Sequence, residues 1–525
     1  MNKFLKLSYM AMMAAFISSC DNNFEEMNVN PNASRDVVPG FLFTRAQLAT
    51  VSNNYTGGAY LTIGQSMQHF ATYKEVPAAG DKYFNYTYSN GNWALFGGDP
   101  ATAGAVIDIA QVIDALKTSP DNVNKMSVSR IWKAYLYHRL TDLYGDIPYL
   151  EAGRALTDKN FTPKYDTQAA IYADLLKELD ESIAAFDASK ATFGTADLVY
   201  GSLSAGDQII MWKKFGYSLM LRLGMRLTEV DPAMAETWVK KAIAGGVITA
   251  DTELAKIDYV DGSITASRNF ISAGLMSTDY VNPGGDNVEG GKFAKTLIDH
   301  LKNTNDPRLN VISIVWIPSA DGKSFTADTT TALQKGMPNA AYNSRPADFN
   351  SFSEPNPATI LKYSAPLLVM TPAEMHLLLA EANLRGWYSG ATAEASYNAA
   401  VTAGLKQWAL FGTSGVIPDA KIAAYLKSNP FNAAGTTAQK MEQIGTQKWL
   451  ALFLEDEYEI FSNWRRTGYP KLTPTNYPGN LTGGKIPTRF VIPDSEELYN
   501  KENFYEARTR QGGTNTLSSV VWWDK

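Results

Sequence analysis

The sequence predicts an all-α body, mainly helical, with long irregular loops and a few short strands, and one clear helix pair in it reads as tetratricopeptide-like, the unit of a helical-pair superhelix. Three observations predict it. Apolar residues recur at spacings of three and four along most of the chain, Gly and Pro punctuate between those runs, and strand-like stretches are short and scattered. Val128, Ile131, Trp132, Tyr135, Leu136, Leu140 and Leu143 place one apolar face on a helix over about 123–144. Ile171, Leu175, Leu176, Leu179, Ile183 and Phe186 repeat the pattern. So do the stretches Trp212 to Leu227, Met375 to Leu384, Tyr397 to Trp408 and Trp449 to Phe461. Breaks fall at Gly145-Asp146-Ile147-Pro148, Gly245-Gly246, Gly386 and Gly468-Tyr469-Pro470.

Residues 372–410 read as one tetratricopeptide-style hairpin. Leu378, Leu379 and Ala382 lead into Gly386, and Ala395, Ala399 and Ala400 follow with Tyr397, so small residues let two helices approach closely. Strand signals are confined to stretches such as Asn310 to Ile317 and Arg489 to Ile492. Between about 260 and 370 the chain is rich in Gly, Asn, Ser, Asp and Pro, which marks a loop-rich insert with functional weight.

The N-terminus carries its own message. Lys3 and Lys6 precede an apolar run from Leu7 to Ile17, and Ile17-Ser18-Ser19-Cys20 closes it. This reads as a lipoprotein export signal over 1–19, with Cys20, the single cysteine, as the acylated residue. Residues 20–40 then form an anchored, Asn-rich tether, and 41–525 one α-superhelical domain. Loss of Lys3 and Lys6 leaves 45 basic against 53 acidic residues, a net charge of −8. That balance argues against nucleic acid or anionic headgroups as partners. With one cysteine no intramolecular disulfide forms.

The segment from Ala134 to Tyr149, AYLYHRLTDLYGDIPY, resembles the signature of the SusD/RagB family of Bacteroidetes nutrient-binding lipoproteins. Further segments in the same order strengthen the likeness: Trp212 to Leu227, Asp306-Pro307-Arg308-Leu309, Thr371-Pro372-Ala373-Glu374, Ala380-Glu381-Ala382, Asn463 to Pro470 and Ile486 to Phe490. The resemblance spans nearly the whole chain. It implies an outer-membrane, surface-facing protein that binds an oligosaccharide without turnover and hands it to a SusC-like TonB-dependent transporter. Peptide cargo, or a helical scaffold that binds only protein partners, are the alternatives.

The same motifs have a physical reading. Gly145 suits the left-handed backbone that stops a helix, and Asp146 can receive loop amides. Arg139 and Asp142 stand three apart, a local pair worth a few tenths of a kcal/mol if exposed. Arg222 and Arg226 share a helix face and need carboxylates opposite. Catalytic signatures are missing: His69, His138, His300 and His376 are widely separated, with neither an HExxH pattern nor a G-x-S-x-G elbow. Asp279, Asp286 and Glu289 in a Gly-rich loop offer oxygens for a structural Ca²⁺, although their spacing is not that of an EF-hand and a solvated turn is the favoured reading. No other cofactor is expected.

Sugar recognition needs rings to stack on and polar groups to read hydroxyls. Residues 69–98 supply both, with Tyr73, Tyr83, Tyr86, Tyr88 and Trp93 interleaved with Asp81 and Asn92. Flanking Gly and Pro make this stretch a loop, so several rings should be exposed, while Phe84, Tyr86 and Tyr88 also fit a short strand. Trp93 reads equally as ligand contact or core. The resemblance adds the irregular middle region, hence Trp316, Tyr342 and Arg345.

Overall fold

Seven of the helices begin where a short polar side chain replaces the missing backbone partner. Thr167, Ser204, Asp231, Thr371, Thr392, Thr436 and Asp456 each accept the amide three residues ahead, contributing about 1 kcal/mol apiece. The computed structural model describes residues 38–524 apart from 76–78, 85–87, 98–103, 281 and 286–287. Cys20, the export signal and most of the tether therefore lie outside the described residues.

Helices α1 (Pro39–Ser52), α2 (Ala105–Leu116), α3 (Val123–Tyr144), α4 (Gln168–Ala185), α5 (Ala205–Arg226) and α6 (Pro232–Gly245) pack in series, each on the next. The helices α7 (Pro372–Leu384) and α8 (Ala393–Lys406) form the hairpin expected over 372–410, with Gly386 at φ +76° just past α7. α9 (Thr437–Ala451) packs on both, and α10 (Glu457–Thr467) returns to α9 and α3. This is the quasi-linear stacking of helix pairs that a tetratricopeptide-like superhelix requires. No helix among the described residues is long and apolar enough to cross a membrane.

Two local expectations are corrected. The apolar run from Trp449 to Phe461 is two helices, because the chain turns at Leu454 (φ +68°) and Asp456 caps a new helix. That turn lets Leu454 donate to Glu457 Oε1 at 3.1 Å. Arg489 to Ile492 is buried but forms no strand, since its amides donate to Leu517, Leu143 and Asn515 rather than to one neighbour. The 260–370 insert, in turn, holds short helices at Phe270–Thr278 and Lys295–Asn303. It also supplies β2 (Gly291–Phe293), antiparallel to β1 (Phe70–Thr72), and a small sheet in which β3 (Ser313–Pro318) lies between β4 (Phe325–Asp328) and β5 (Glu354–Pro355).

The centre of the fold is charged. Arg222, 1% exposed, donates to Glu374 at 2.9 and 2.5 Å and to Asp456 at 3.2 Å. Arg226 bonds Glu459 and lies 3.3 Å from Asp142, while Lys448 reaches Glu459 at 2.7 Å and Glu374 at 3.3 Å. Arg466 holds both oxygens of Glu381 at 2.7 Å. The carboxylates that Arg222 and Arg226 need thus come from α3, α7 and α10 and the turn before it. The expected local pair between Arg139 and Asp142 is replaced. Arg139 donates to the Thr50 carbonyl at 2.7 Å and faces Asp456 at 3.7 Å, because Arg226, Tyr172 and Trp523 take Asp142.

Glu455, beside this network, gives a pH prediction. Burial pushes its carboxyl up to about 8, against the opposing hydrogen bond from the Leu368 amide at 2.7 Å. Below its ordinary value of 4.5 the group is protonated both folded and unfolded. Above that value only the unfolded chain ionises, so stability falls as pH rises toward 8. Burial holds the His138 and His376 imidazoles low, and they act in the opposite sense only below about pH 6.5. Urea unfolding should show stability falling between pH 6.5 and 8, and Glu455→Gln should flatten that slope. An unchanged slope in the variant would remove Glu455 as its source.

Candidate functional site

Asp81 ties four segments together at the loop-rich edge of the protein. Its Oδ2 accepts the Thr72 amide at 3.2 Å and the Ala340 amide at 3.0 Å, Oδ1 faces Lys82 at 3.5 Å, and its carbonyl accepts from Thr475 at 2.6 Å. Burial pushes the Asp81 carboxyl up and the Lys82 ammonium down, each partly offset by the other. Tyr83 and Ala340, at φ +59° and +54°, hold left-handed backbone next to this junction. Non-glycine residues adopt it at a cost of about 1–3 kcal/mol, and such strain gathers at functional sites.

This frame places the sequence candidates differently from the expectation of an open aromatic loop. Tyr83 is 1% exposed; its hydroxyl accepts the Thr475 amide at 3.0 Å and its carbonyl accepts the Leu481 amide. Tyr73 is buried edge-on to Phe349, with ring centroids 5.0 Å apart. Gly290, at φ +68°, lies so close to that ring that an added Cβ would sit 2.7 Å from it. Asn92 is buried and accepts from the Tyr458 hydroxyl at 3.1 Å. Trp93 is 8% exposed and packed against Phe96, Tyr144 and Tyr165, its Nε1 donating to Glu496 at 3.1 Å. Burial of Tyr73 and Tyr83 departs from the exposure expected of several rings in this loop, and Trp93 takes the core alternative; long-range partners hold these side chains and those of Asp81 and Asn92 inward. Tyr86 lies outside the described residues. Tyr88 opens a short 3₁₀ helix to Phe96.

Rings that do meet solvent stand around the buried ones. Trp316, on β3, is partly exposed, and its Nε1 donates to Glu354 Oε2 at 2.8 Å. Glu354 is itself buried and paired with buried Lys292, whose Nζ stands 4.3 Å from the Phe349 ring centroid. Tyr342 packs on the small cluster of Tyr73, Phe349 and Phe352, and exposed Arg345 lies 5.1 Å from the Phe349 ring. Across the Asp81 junction, Phe84 meets Tyr477 edge-on at 5.5 Å, and Tyr477 bonds Glu75. The structure thus links Tyr73, Trp316, Tyr342 and Arg345 through Phe349, and links Asp81 and Tyr83 to Tyr477 through the 473–481 loop. Sequence reading missed Tyr477. Its signal was an aromatic in the turn-forming stretch Asn476-Tyr477-Pro478-Gly479-Asn480.

Among its described residues the oxygen-rich loop brings no group of three or more acidic or imidazole ligands together. Asp279 is enclosed by the Tyr60 hydroxyl at 2.5 Å and the Glu289 and Gly291 amides at 3.0 and 3.1 Å. Burial raises its carboxyl to about 6. Asp286 lies outside the described residues, and among the described residues no group of three or more His, Cys, Asp or Glu converges. Three donors already bond the Asp279 carboxylate, and among the described residues Glu289 acts on it as a like charge.

A family model described as starch-binding, associating with outer membrane, matches residues 31–493. The chain belongs to this SusD-like family. Its members bind nutrient carbohydrate and are not catalysts, and the SusD-like chain is a binding protein rather than an enzyme. Among solved structures, a chitin-binding protein is 32% identical over 93% of this chain and 100% of its own, with a TM-score of 0.77. A SusD-like protein of Bacteroidetes is 26% identical over the same shares, with a TM-score of 0.80. A chitin-binding SusD homologue from Flavobacterium johnsoniae shares the fold at 24% identity, covering 93% of this chain and 98% of its own, with a TM-score of 0.69. No curated protein matches.

Proposed function

We propose that this protein captures a neutral oligosaccharide on the partly exposed rings Trp316, Tyr342, Phe84 and Tyr477 and delivers it to a SusC-like TonB-dependent transporter. In this reading Cys20 carries the lipid that anchors the chain in the outer membrane, facing outward, and 41–525 acts as one binding domain. The observation that carries the site is the support beneath its rings. Trp316 is oriented by Glu354 and Lys292, and Tyr477 stands on the segment joined to Asp81. Rings held in place before ligand arrives lose little entropy on binding. Arg345 and Asn350, 2.9 Å apart on the same face, supply donors and acceptors for hydroxyls.

A chitin-binding relative at 32% identity and a starch-binding family description make chitooligosaccharides and maltooligosaccharides the first ligands to try. Calorimetry against both sets and a panel of short peptides tests the reading. Saturable binding of one glycan set is expected. Binding of peptides alone would make the cargo peptide, and silence across all three would favour a protein-only scaffold.

A further inference from the structure

Away from those rings, α2, α3, α4 and the 149–154 turn line an open cavity of about 440 Å³, within the range of small-molecule sites. Its lining shares no residue with the glycan face. One wall is apolar: Val106, Ile109 and Ile113 on α2, with Met126 at the start of α3. The other carries donors. Lys133 and Tyr137 stand four apart on α3 and so on one face. Lys133 Nζ makes no hydrogen bond among the described residues; its nearest carboxylate oxygen, on Glu178, is 3.7 Å away. The other oxygen of Glu178 is taken by Arg130 at 2.5 Å. Nζ is instead held 4.6 Å from the centroid of the Tyr149 ring, which is itself fixed edge-on to Tyr137 at 4.7 Å and bonded to Asp174 at 2.6 Å.

The Tyr137 hydroxyl likewise has no hydrogen-bond partner among the described residues, and burial keeps it in the neutral, donating form. Lys117 and Arg154 pair with Asp114, Arg154 also with Asp158, and Arg130 with Glu178 and Glu181, so among the described residues Lys133 is the lining cation that no hydrogen bond holds. An uncharged sugar would leave the ammonium with only the Glu178 oxygen 3.7 Å away and would leave the aliphatic wall uncovered. A ligand with one anionic group and a short apolar body satisfies both walls.

We infer that this cavity is a second ligand site, for a small amphiphilic anion such as a medium-chain carboxylate, whose carboxylate is held by Lys133 and Tyr137 while its chain lies on Val106, Ile109, Ile113 and Met126. Both oxygens of a carboxylate accept hydrogen bonds, matching an ammonium and a phenol on adjacent turns.

Titration calorimetry of the full chain with sodium octanoate below its micelle concentration tests this. The chain carries Cys20→Ser so that no attached acyl group competes. Saturable one-to-one binding is expected, with octanol and acetate each at least tenfold weaker. Lys133→Met should weaken octanoate at least tenfold. Tyr137→Phe, which keeps the packed ring, should weaken it several-fold. Glycan affinity should stay unchanged in both variants, which separates this site from the exposed rings. Absence of saturable octanoate binding, equal affinity for octanol, or full octanoate affinity in the folded Lys133→Met protein would each overturn the inference.

Discussion

Replacing Arg222 with Met is expected to destabilise the protein by about 3–5 kcal/mol, the usual cost of breaking a buried ion pair from one side. The guanidinium serves Glu374 and Asp456 together, and neither reaches water. Its removal leaves two buried carboxylates with only their weaker partners, Lys448 3.3 Å from Glu374 and Arg139 3.7 Å from Asp456. Against a typical total of about 5–15 kcal/mol this is a large fraction. Urea unfolding of the variant would measure it. Lys240→Met supplies the comparison, because its partner Glu236 is exposed on the same helix and such pairs contribute about 0–1 kcal/mol. Restoring balance with Arg222→Met and Glu374→Leu together should recover part of the loss. A cost near that of Lys240→Met would mean the centre is hydrated and the network incidental.

Trp93→Ala is expected to cost about 3–5 kcal/mol as a large-to-small core change, while leaving glycan affinity as it was. The indole is ringed by Phe96, Tyr144 and Tyr165, and its N–H shares Glu496 with the Tyr165 hydroxyl at 2.6 Å. Truncation empties that space and leaves one Glu496 oxygen without its donor. Unfolding and calorimetry on the same sample separate the two effects. Lost affinity with full stability would return Trp93 to the ligand face.

The contrast between these two residues shows where the sequence was readable. Helices declare themselves through a period of 3.6, so α3, α4, α5 and α7 lie close to where the apolar spacing puts them. Arg222 and Arg226, a turn apart on an otherwise apolar face, already demand carboxylates. The identity of those carboxylates was hidden, because Glu374 is 152 residues from Arg222 and Asp456 is 234 away. Asp142 was misread for the same reason: three residues from Arg139, it is claimed by Arg226 and by distant Trp523.

The binding face was less legible still. A loop has no period to say which way a ring points, and flanking Gly and Pro mark a turn without marking exposure. Trp93 turned inward because Glu496, 403 residues on, offered its N–H an acceptor. Trp316 lies on β3, whose outward face follows from pairing with Ala327 on β4, and that register is invisible in a strand of six residues. Tyr477 went unnoticed because its loop comes to the Asp81 junction only in three dimensions.

Glycan binding is proposed to rest on the exposed rings and not on the buried ones. Calorimetry of Trp316→Ala and Tyr477→Ala, beside the parent and Trp93→Ala, tests it most directly, with the best-bound oligosaccharide as titrant. Loss of about 2 kcal/mol, or roughly thirtyfold, is expected for the ring that carries the contact. Both exposed-ring variants should keep the parent's unfolding midpoint within error. Parental affinity in both, with affinity lost in Trp93→Ala, would contradict the account and move the site to the Glu496 side of the fold.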